Sequence, residues 1–259
     1  MRVTTPPFIY SENEKGTHVL PHSVISVGND TRKLIADGYP LEQVVTSDLR
    51  QGICPYFSRG VIDVGKDFHL LTLFCFCYFA EFADLGHRVF RTTPETYPIA
   101  FVPGDVFDPK HLEVVPPVAS AHASASDHPS VSAPTLHGLT SLNPLHGRVF
   151  AIHASSFFHL FSEEKQLHVA RALAGLLSPE PGSVIFGMQV GLPEKGFDPS
   201  VMMWCHSPES WTQLWDDIVF EKGVVNVQTT LVQMGKKYLE PDAPQNTTYT
   251  VLVWSVMRL

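Results

Sequence analysis

One recurrence constrains this chain more than any other feature: short β-branched or apolar runs that end in glycine, an acid or a small polar residue, with helical spacing or stop signals between them. Val24-Ile25-Ser26-Val27 runs into Gly28, Gln43-Val44-Val45-Thr46-Ser47 into Asp48, and Ile99-Ala100-Phe101-Val102 into Gly104-Asp105. Arg148-Val149-Phe150-Ala151-Ile152 leads to His153-Ala154-Ser155-Ser156, and Val184-Ile185-Phe186 leads to Gly187. Runs this short suit strands, because branched and aromatic side chains pack well on a pleated surface. Between them, Asn29-Asp30-Thr31 suits a helix cap, with Arg32 to Ala36 helical until Asp37-Gly38-Tyr39-Pro40 stops it. Ser162 caps a longer helix in which Leu167, Ala170, Leu173, Ala174 and Leu177 recur at helical spacing until Ser178-Pro179. Ser207-Pro208 opens another, with Trp211, Leu214, Trp215 and Ile218 on one face. Two β-rich runs, Val224 to Val232 and Tyr249 to Val256, close the chain as an antiparallel pair.

Strands alternating with helices predict an α/β, Rossmann-like sheet with helices on both faces. At 259 residues one domain spanning 1–259 can bury its own core. In such sheets ligands bind beyond the carboxyl ends of the strands, where Gly28, Asp48, Asp105 and His153 all fall.

Charge and cysteine usage narrow the partners. The net charge is -8 and the lysines and arginines are scattered, so a phosphate-tracking surface is not expected and nucleic acid is a poor partner. Cys54, Cys75, Cys77 and Cys205 lack the paired spacing of a zinc site and read as free thiols, with no metal expected. The stretch MRVTTPPFIYSENEK has no apolar core of the kind that precedes secretory cleavage, and no run is long enough to span a bilayer, so a cytoplasmic protein is expected. Residues 116–144, rich in Ser, Ala, His and Pro, read as a flexible surface excursion.

Three stretches resemble the class I S-adenosylmethionine-dependent methyltransferases, most nearly those of fungal secondary-metabolite and meroterpenoid clusters. They are Asp30-Thr31-Arg32-Lys33-Leu34 with Ala36 to Pro40 and Ser47-Asp48-Leu49-Arg50; Gly104-Asp105-Val106-Phe107; and Ile152 to Phe161. The likeness continues through Leu176 to Ser183, Gly191 to Gly196 and Cys205-His206-Ser207-Pro208-Glu209-Ser210-Trp211. The resemblance implies S-adenosylmethionine as cofactor and methyl transfer to a carboxylate or hydroxyl oxygen of a terpenoid or polyketide-derived small molecule. It implies that Asp48, with Leu49 beside it, accepts hydrogen bonds from the ribose hydroxyls. Asp105 would take the adenine amino group, Val106 and Phe107 would pack by the ring, and Gly28 would border the methionine part. A carboxylate offers two acceptor oxygens to a vicinal diol, although either aspartate alone reads equally as a turn acid. His153 and His159 are the candidate general bases, and His206 and Trp211 the candidate acceptor contacts. At helical spacing Trp211 reads equally as core. The resemblance also makes a homodimer a reasonable assembly.

Two departures stand out. The family's first glycine-rich turn carries a further glycine after its first, whereas here Gly28 runs directly into Asn29-Asp30. A non-catalytic, methyltransferase-like protein with a disrupted cofactor loop is therefore the alternative. A dinucleotide oxidoreductase is weaker, since no G-x-G-x-x-G follows the first strand. The second departure is residues 52–80, which interrupt a junction between Asp48-Leu49-Arg50-Gln51 and Glu81-Phe82-Ala83-Asp84-Leu85-Gly86 that family members run through almost directly. This segment reads as a translated intron. Its Phe, Cys, Tyr and Leu codons are pyrimidine-rich, Gly52-Ile53 can encode a splice donor, Leu71-Thr72 a branch point and Ala80-Glu81 an acceptor. In-frame removal of 29 codons restores Asp-Leu-Arg-Gln-Glu-Phe-Ala-Asp-Leu-Gly. A genuine apolar insertion, forming a lid or a dimer surface, is the other reading.

Overall fold

The structure is a computed structural model, and it describes residues 43–48, 69–74, 88, 91–98, 100–119, 136–235 and 248–259. The expected strand at 24–27, the helix at 32–36, Gly28, Leu49, Cys54, Cys75 and Cys77 lie outside the described residues.

Among the described residues, seven strands form one mixed sheet. In chain order these are β1 (Val44–Asp48), β2 (His69–Phe74), β3 (Ala100–Pro103), β4 (Val149–Ser155), β5 (Val184–Val190), β8 (Val225–Gly235) and β9 (Thr248–Arg258). A separate two-stranded hairpin pairs β6 (Gly196–Asp198) with β7 (Met203–Cys205). The spatial order is β3-β1-β2-β4-β5-β9-β8. The strands from β3 to β5 run parallel, while β9 is antiparallel to both β5 and β8. This is the Rossmann-like sheet with a C-terminal antiparallel pair that the alternation of runs predicts. All the parallel carboxyl ends lie along one edge, which is what brings Asp48 and the Gly104-Asp105 turn near each other: Asp48 pairs with Pro103.

Strands β4 and β5 are buried on both faces of the sheet. Val184, Ile185 and Phe186 are all buried, so β5 is apolar without alternation. Helices flank the sheet. Helix α1 (Glu163–Leu176) begins at Ser162, whose extended backbone leaves the turn, and carries Glu163 and Glu164 where the helix dipole favours negative charge. It ends where Ser178-Pro179 prevents continuation, and it buries Val169, Ala170, Leu173, Ala174 and Leu176. Helix α2 (Pro208–Gln213) starts from a capping box. The Ser207 hydroxyl accepts from Ser210 N and the Ser210 hydroxyl from Ser207 N, while Pro208 occupies the first turn, where a missing N–H costs nothing. It runs on into a π-helical turn, Leu214–Val219.

The core lies where these helices meet β9. Trp211 packs on Trp254 with centroids 4.9 Å apart and edge-on to Phe158 at 4.9 Å, and Trp215 stacks on Trp254 at 6.1 Å. Each of these fully buried indoles contributes on the order of 2–3 kcal/mol from area alone.

One expectation is corrected. Strand β4 extends through His153 to Ser155, so His153 lies inside the sheet and not beyond it. The excursion at 116–144 is packed at its ends: Leu136, Leu142 and Leu145 are buried, Asn143–Leu145 forms a 3-10 turn, and Val118 O accepts from Arg258 Nη2 at 2.6 Å. Its middle, 120–135, lies outside the described residues. Within residues 52–80, His69–Phe74 is a strand paired on both edges, between β1 and β4.

Candidate functional site

The site is built from the ends of β1, β3, β4 and β5. Strand β1 is bolted to β3 by its own side chains: Thr46 Oγ1 donates to Ala100 O at 3.2 Å and Ser47 Oγ donates to Val102 O at 2.6 Å. Asp48 is the last residue of β1. Beyond β3, Gly104 and Asp105 open a tight loop in which Asp105 Oδ1 accepts from Phe107 N at 2.9 Å and Asp105 O from Asp108 N at 2.9 Å. The Asx turn holds this half-buried carboxylate in place at the sheet edge. Val106 is buried. Phe107 is partly exposed, edge-on to Phe161 at 5.1 Å and capped by Lys165 Nζ at 4.9 Å. The structure thus brings Asp48, Asp105, Val106 and Phe107 to one edge.

The two candidate bases are buried and neutral. His153 stacks on Phe186 at 5.0 Å and its Nε2 lies 2.7 Å from Ser155 Oγ; burial pushes its pKa down to about 4. His159, in the 3-10 turn Phe158–Leu160, is likewise pushed down to about 4 by burial. Its Nδ1 accepts from Val190 N at 3.3 Å, so the ring proton resides on Nε2. In that tautomer Nε2 donates a hydrogen bond and does not take a proton.

The candidate acceptor contacts His206 and Trp211 are both buried. Trp211 is fully buried in the indole cluster, and His206 lies beneath α2 with Nδ1 2.9 Å from Ser210 Oγ, its pKa lowered to about 4 by burial. Helical periodicity has put Trp211 on the core side. Cys205 is a free, buried thiol whose pKa is pushed up to about 12 by burial. Among the described residues no group of three or more metal-ligating side chains is found, and no helix is long and apolar enough to cross a membrane.

Sequence reasoning missed two parts of this edge. One is the β6–β7 hairpin, joined to the end of β5 by the pairing of Gly191 with His206 and to α1 by Gln166 Nε2, which donates to Trp204 O at 2.9 Å. Buried polar atoms without partners cluster in sequence around it: both amide atoms of Gln189, Gln166 Oε1, Trp204 Nε1 and His206 Nε2. The other is His111, whose Nε2 lies 3.2 Å from Ser47 Oγ. The run Asp108-Pro109-Lys110-His111, a turn signal directly after Gly104-Asp105, is the only hint of it in the sequence.

No family model matches the chain. It is 27% identical over 201 residues to O-methyltransferase phiE of Fungal sp. (strain ATCC 74256), covering 76% of this chain and 48% of that protein. It is 34% identical over 86 residues to Asnovolin E/Chermesin D methyltransferase nvfJ of Aspergillus novofumigatus, covering 32% of this chain and 31% of that protein. The chain therefore spans half the length or less of these curated relatives. Among solved structures, a SAM-dependent methyltransferase from Methanosarcina mazei aligns with a TM-score of 0.39 at 11% identity, covering 87% of this chain and 97% of that chain. By sequence the chain is similar to fungal methyltransferases, and its mixed sheet has the Rossmann-like strand arrangement of the class I S-adenosylmethionine-dependent methyltransferases.

Proposed function

We propose that this chain binds S-adenosylmethionine and transfers its methyl group to an oxygen of a small apolar acceptor of the terpenoid or polyketide-derived kind. The observation that carries the reading is the pair of acids on hydrogen-bonded neighbouring strands, Asp48 ending β1 and Asp105 two residues past its partner Pro103. Asp48 accepts from the ribose hydroxyls and Asp105 from the adenine amino group, with Val106 and Phe107 against the ring. Asp105 fits this task, because its Asx turn fixes the carboxylate at the half-exposed edge. Leu49 and Gly28, outside the described residues, complete the proposed contacts. When bound, the cofactor supplies an electrophilic methyl group on a sulfonium centre.

The histidines bear on which oxygen is methylated. His159 carries its proton on Nε2, and His153 is buried inside β4 with Nε2 against Ser155 Oγ and Nδ1 without a partner. Neither offers a free basic nitrogen to the edge, which favours an acceptor already ionised at neutral pH, a carboxylate, over an alcohol that must lose a proton. In-line positioning is then the chief demand, with His159 orienting by donation. The unpartnered atoms of Gln189, Gln166 and His206 beside the β6–β7 hairpin supply donors and acceptors for the acceptor's polar groups.

Calorimetric titration with S-adenosylhomocysteine, for the 259-residue chain and for a form lacking residues 52–80, tests the reading. Binding by either form supports it. Binding by neither favours the non-catalytic alternative, for which the missing glycine after Gly28 is the specific argument.

A further inference from the structure

His111 ties the two acid-bearing strand ends together. It is buried, with its backbone fixed at both groups: His111 N donates to Asp108 O at 2.8 Å and His111 O accepts from Leu142 N at 2.8 Å. Ser47 has a single hydroxyl proton, which goes to Val102 O at 2.6 Å. Its oxygen must therefore accept from His111, which places the imidazole proton on Nε2. Nδ1 is left bare, buried and without a partner. The ring faces Gly104 so closely that a Cβ at that position would fall on the imidazole. One side of the ring thus holds Ser47, the residue before Asp48, and the other lies against Gly104, the residue before Asp105.

The charge state agrees with this geometry. Burial lowers the His111 pKa even though Asp105 and Asp108 stand near enough to raise it. A neutral ring suits the site, since a proton on Nδ1 would be driven against Gly104 with no acceptor there.

We propose that His111 is a positioning residue that sets the spacing between Asp48 and Asp105 and so the grip on the adenosine half of the cofactor. This rests on the assignment of those two acids to the cofactor. His111 acts through the two strand ends and takes no part in methyl transfer. A side chain that only filled space would be replaceable by any residue of similar volume. The hydrogen bond to Ser47 instead demands a donor at a fixed reach.

The test is calorimetric titration of the wild type, His111→Ala, His111→Gln and His111→Leu with two probes, S-adenosylhomocysteine and adenosine, alongside thermal melts. It is run in the 259-residue chain and in the form lacking residues 52–80. Glutamine keeps a donor at about the reach of Nε2, whereas leucine keeps only bulk. Affinity for both probes is expected to fall by the same factor, roughly tenfold, in His111→Ala and His111→Leu, and to recover in His111→Gln. The proposal is overturned if His111→Leu binds as the wild type does, or if His111→Gln binds no better than His111→Leu. A wild type that binds neither probe in either form overturns the cofactor assignment, and this proposal with it.

Discussion

Lowering the pH from 7.5 to 5.5 is expected to destabilise this protein by about 4 kcal/mol through three buried imidazoles. His153, His159 and His206 are each held near pKa 4 in the folded chain. In the unfolded chain each returns to about 6.5. Between those values the unfolded state binds more protons than the folded one, so stability rises with pH. The histidine contribution is fully present above about 6.5, falls steadily as pH drops toward 4, and levels off below the folded values. At pH 5.5, one unit below the unfolded pKa, each histidine costs between about 1 and 2 kcal/mol. The lowered pKa of His111 adds in the same direction. A loss of about 4 kcal/mol is a large share of the 5–15 kcal/mol typical of domains, and for a chain of this size it lowers the melting temperature by roughly 8–16 °C. Urea melts at the two pH values measure it directly. His206→Asn, which keeps a polar partner for Ser210 and cannot titrate, should flatten the dependence by about a third. A melting temperature that does not move between pH 7.5 and 5.5, or a pH dependence untouched by that substitution, would refute the claim that burial holds these rings neutral.

Other outcomes follow from single contacts. Asp48→Ala and Asp105→Asn should each weaken S-adenosylhomocysteine binding by roughly 1.5–3 kcal/mol, the scale of a hydrogen bond to a charged group, and calorimetry that finds either variant unchanged removes that residue from the site. Gly187→Ala should cost on the order of 1–3 kcal/mol, because its Cβ would fall 2.5 Å from Ala154 O on the neighbouring strand, where only backbone can give way; chemical denaturation reads the loss. Trp211→Ala should cost about 3–5 kcal/mol by emptying the centre of the indole cluster, again read by denaturation.

What the sequence reveals of this protein depends on how far apart the interacting residues lie. Strand β5, helix α1 and the terminal pair β8–β9 are visible in it because each carries its own signal: an apolar run, a 3.6-residue period with a first-turn acid pair, and β-branched runs. Asp48 and Asp105 are visible because each closes or follows a run of that kind. The β6–β7 hairpin is not, since its three-residue strands have no measurable period and rest on contacts made elsewhere, from Gln166 to Trp204 and from Gly191 to His206. Nor is the role of His111, whose partner Ser47 lies 64 positions away. Trp211 shows the opposite limit. Its spacing announces an apolar face, but periodicity does not say whether that face meets a ligand or the sheet.

The same limit applies with most force at the centre of the sheet. Strand β2 pairs through Leu71 with Val45 on one side and Ile152 on the other, so it holds two parallel neighbours together. Removing residues 52–80 removes all of it, and the facing edges of β1 and β4 would be left with unpaired backbone groups. A chain spliced in this way can fold only if another segment takes the position. Val24-Ile25-Ser26-Val27, a β-branched run ending at Gly28, is the one that the strand-forming pattern offers. On this prediction the two runs fill one slot in alternative chains, and proline substitutions distinguish them without relying on side-chain packing. In the 259-residue chain, Leu71→Pro should cost about 3 kcal/mol or more by deleting a ladder donor inside the sheet, and Ile25→Pro should cost less. In the chain lacking residues 52–80 the burden moves to Ile25→Pro. Circular dichroism melts of these three variants and their two parent chains read the exchange, and transcript-derived cDNA across codons 48 to 85 shows which chain the cell makes. If the shortened chain is unfolded, or if mature message uniformly keeps the 29 codons, then residues 52–80 belong to the protein and β2 is its native central strand.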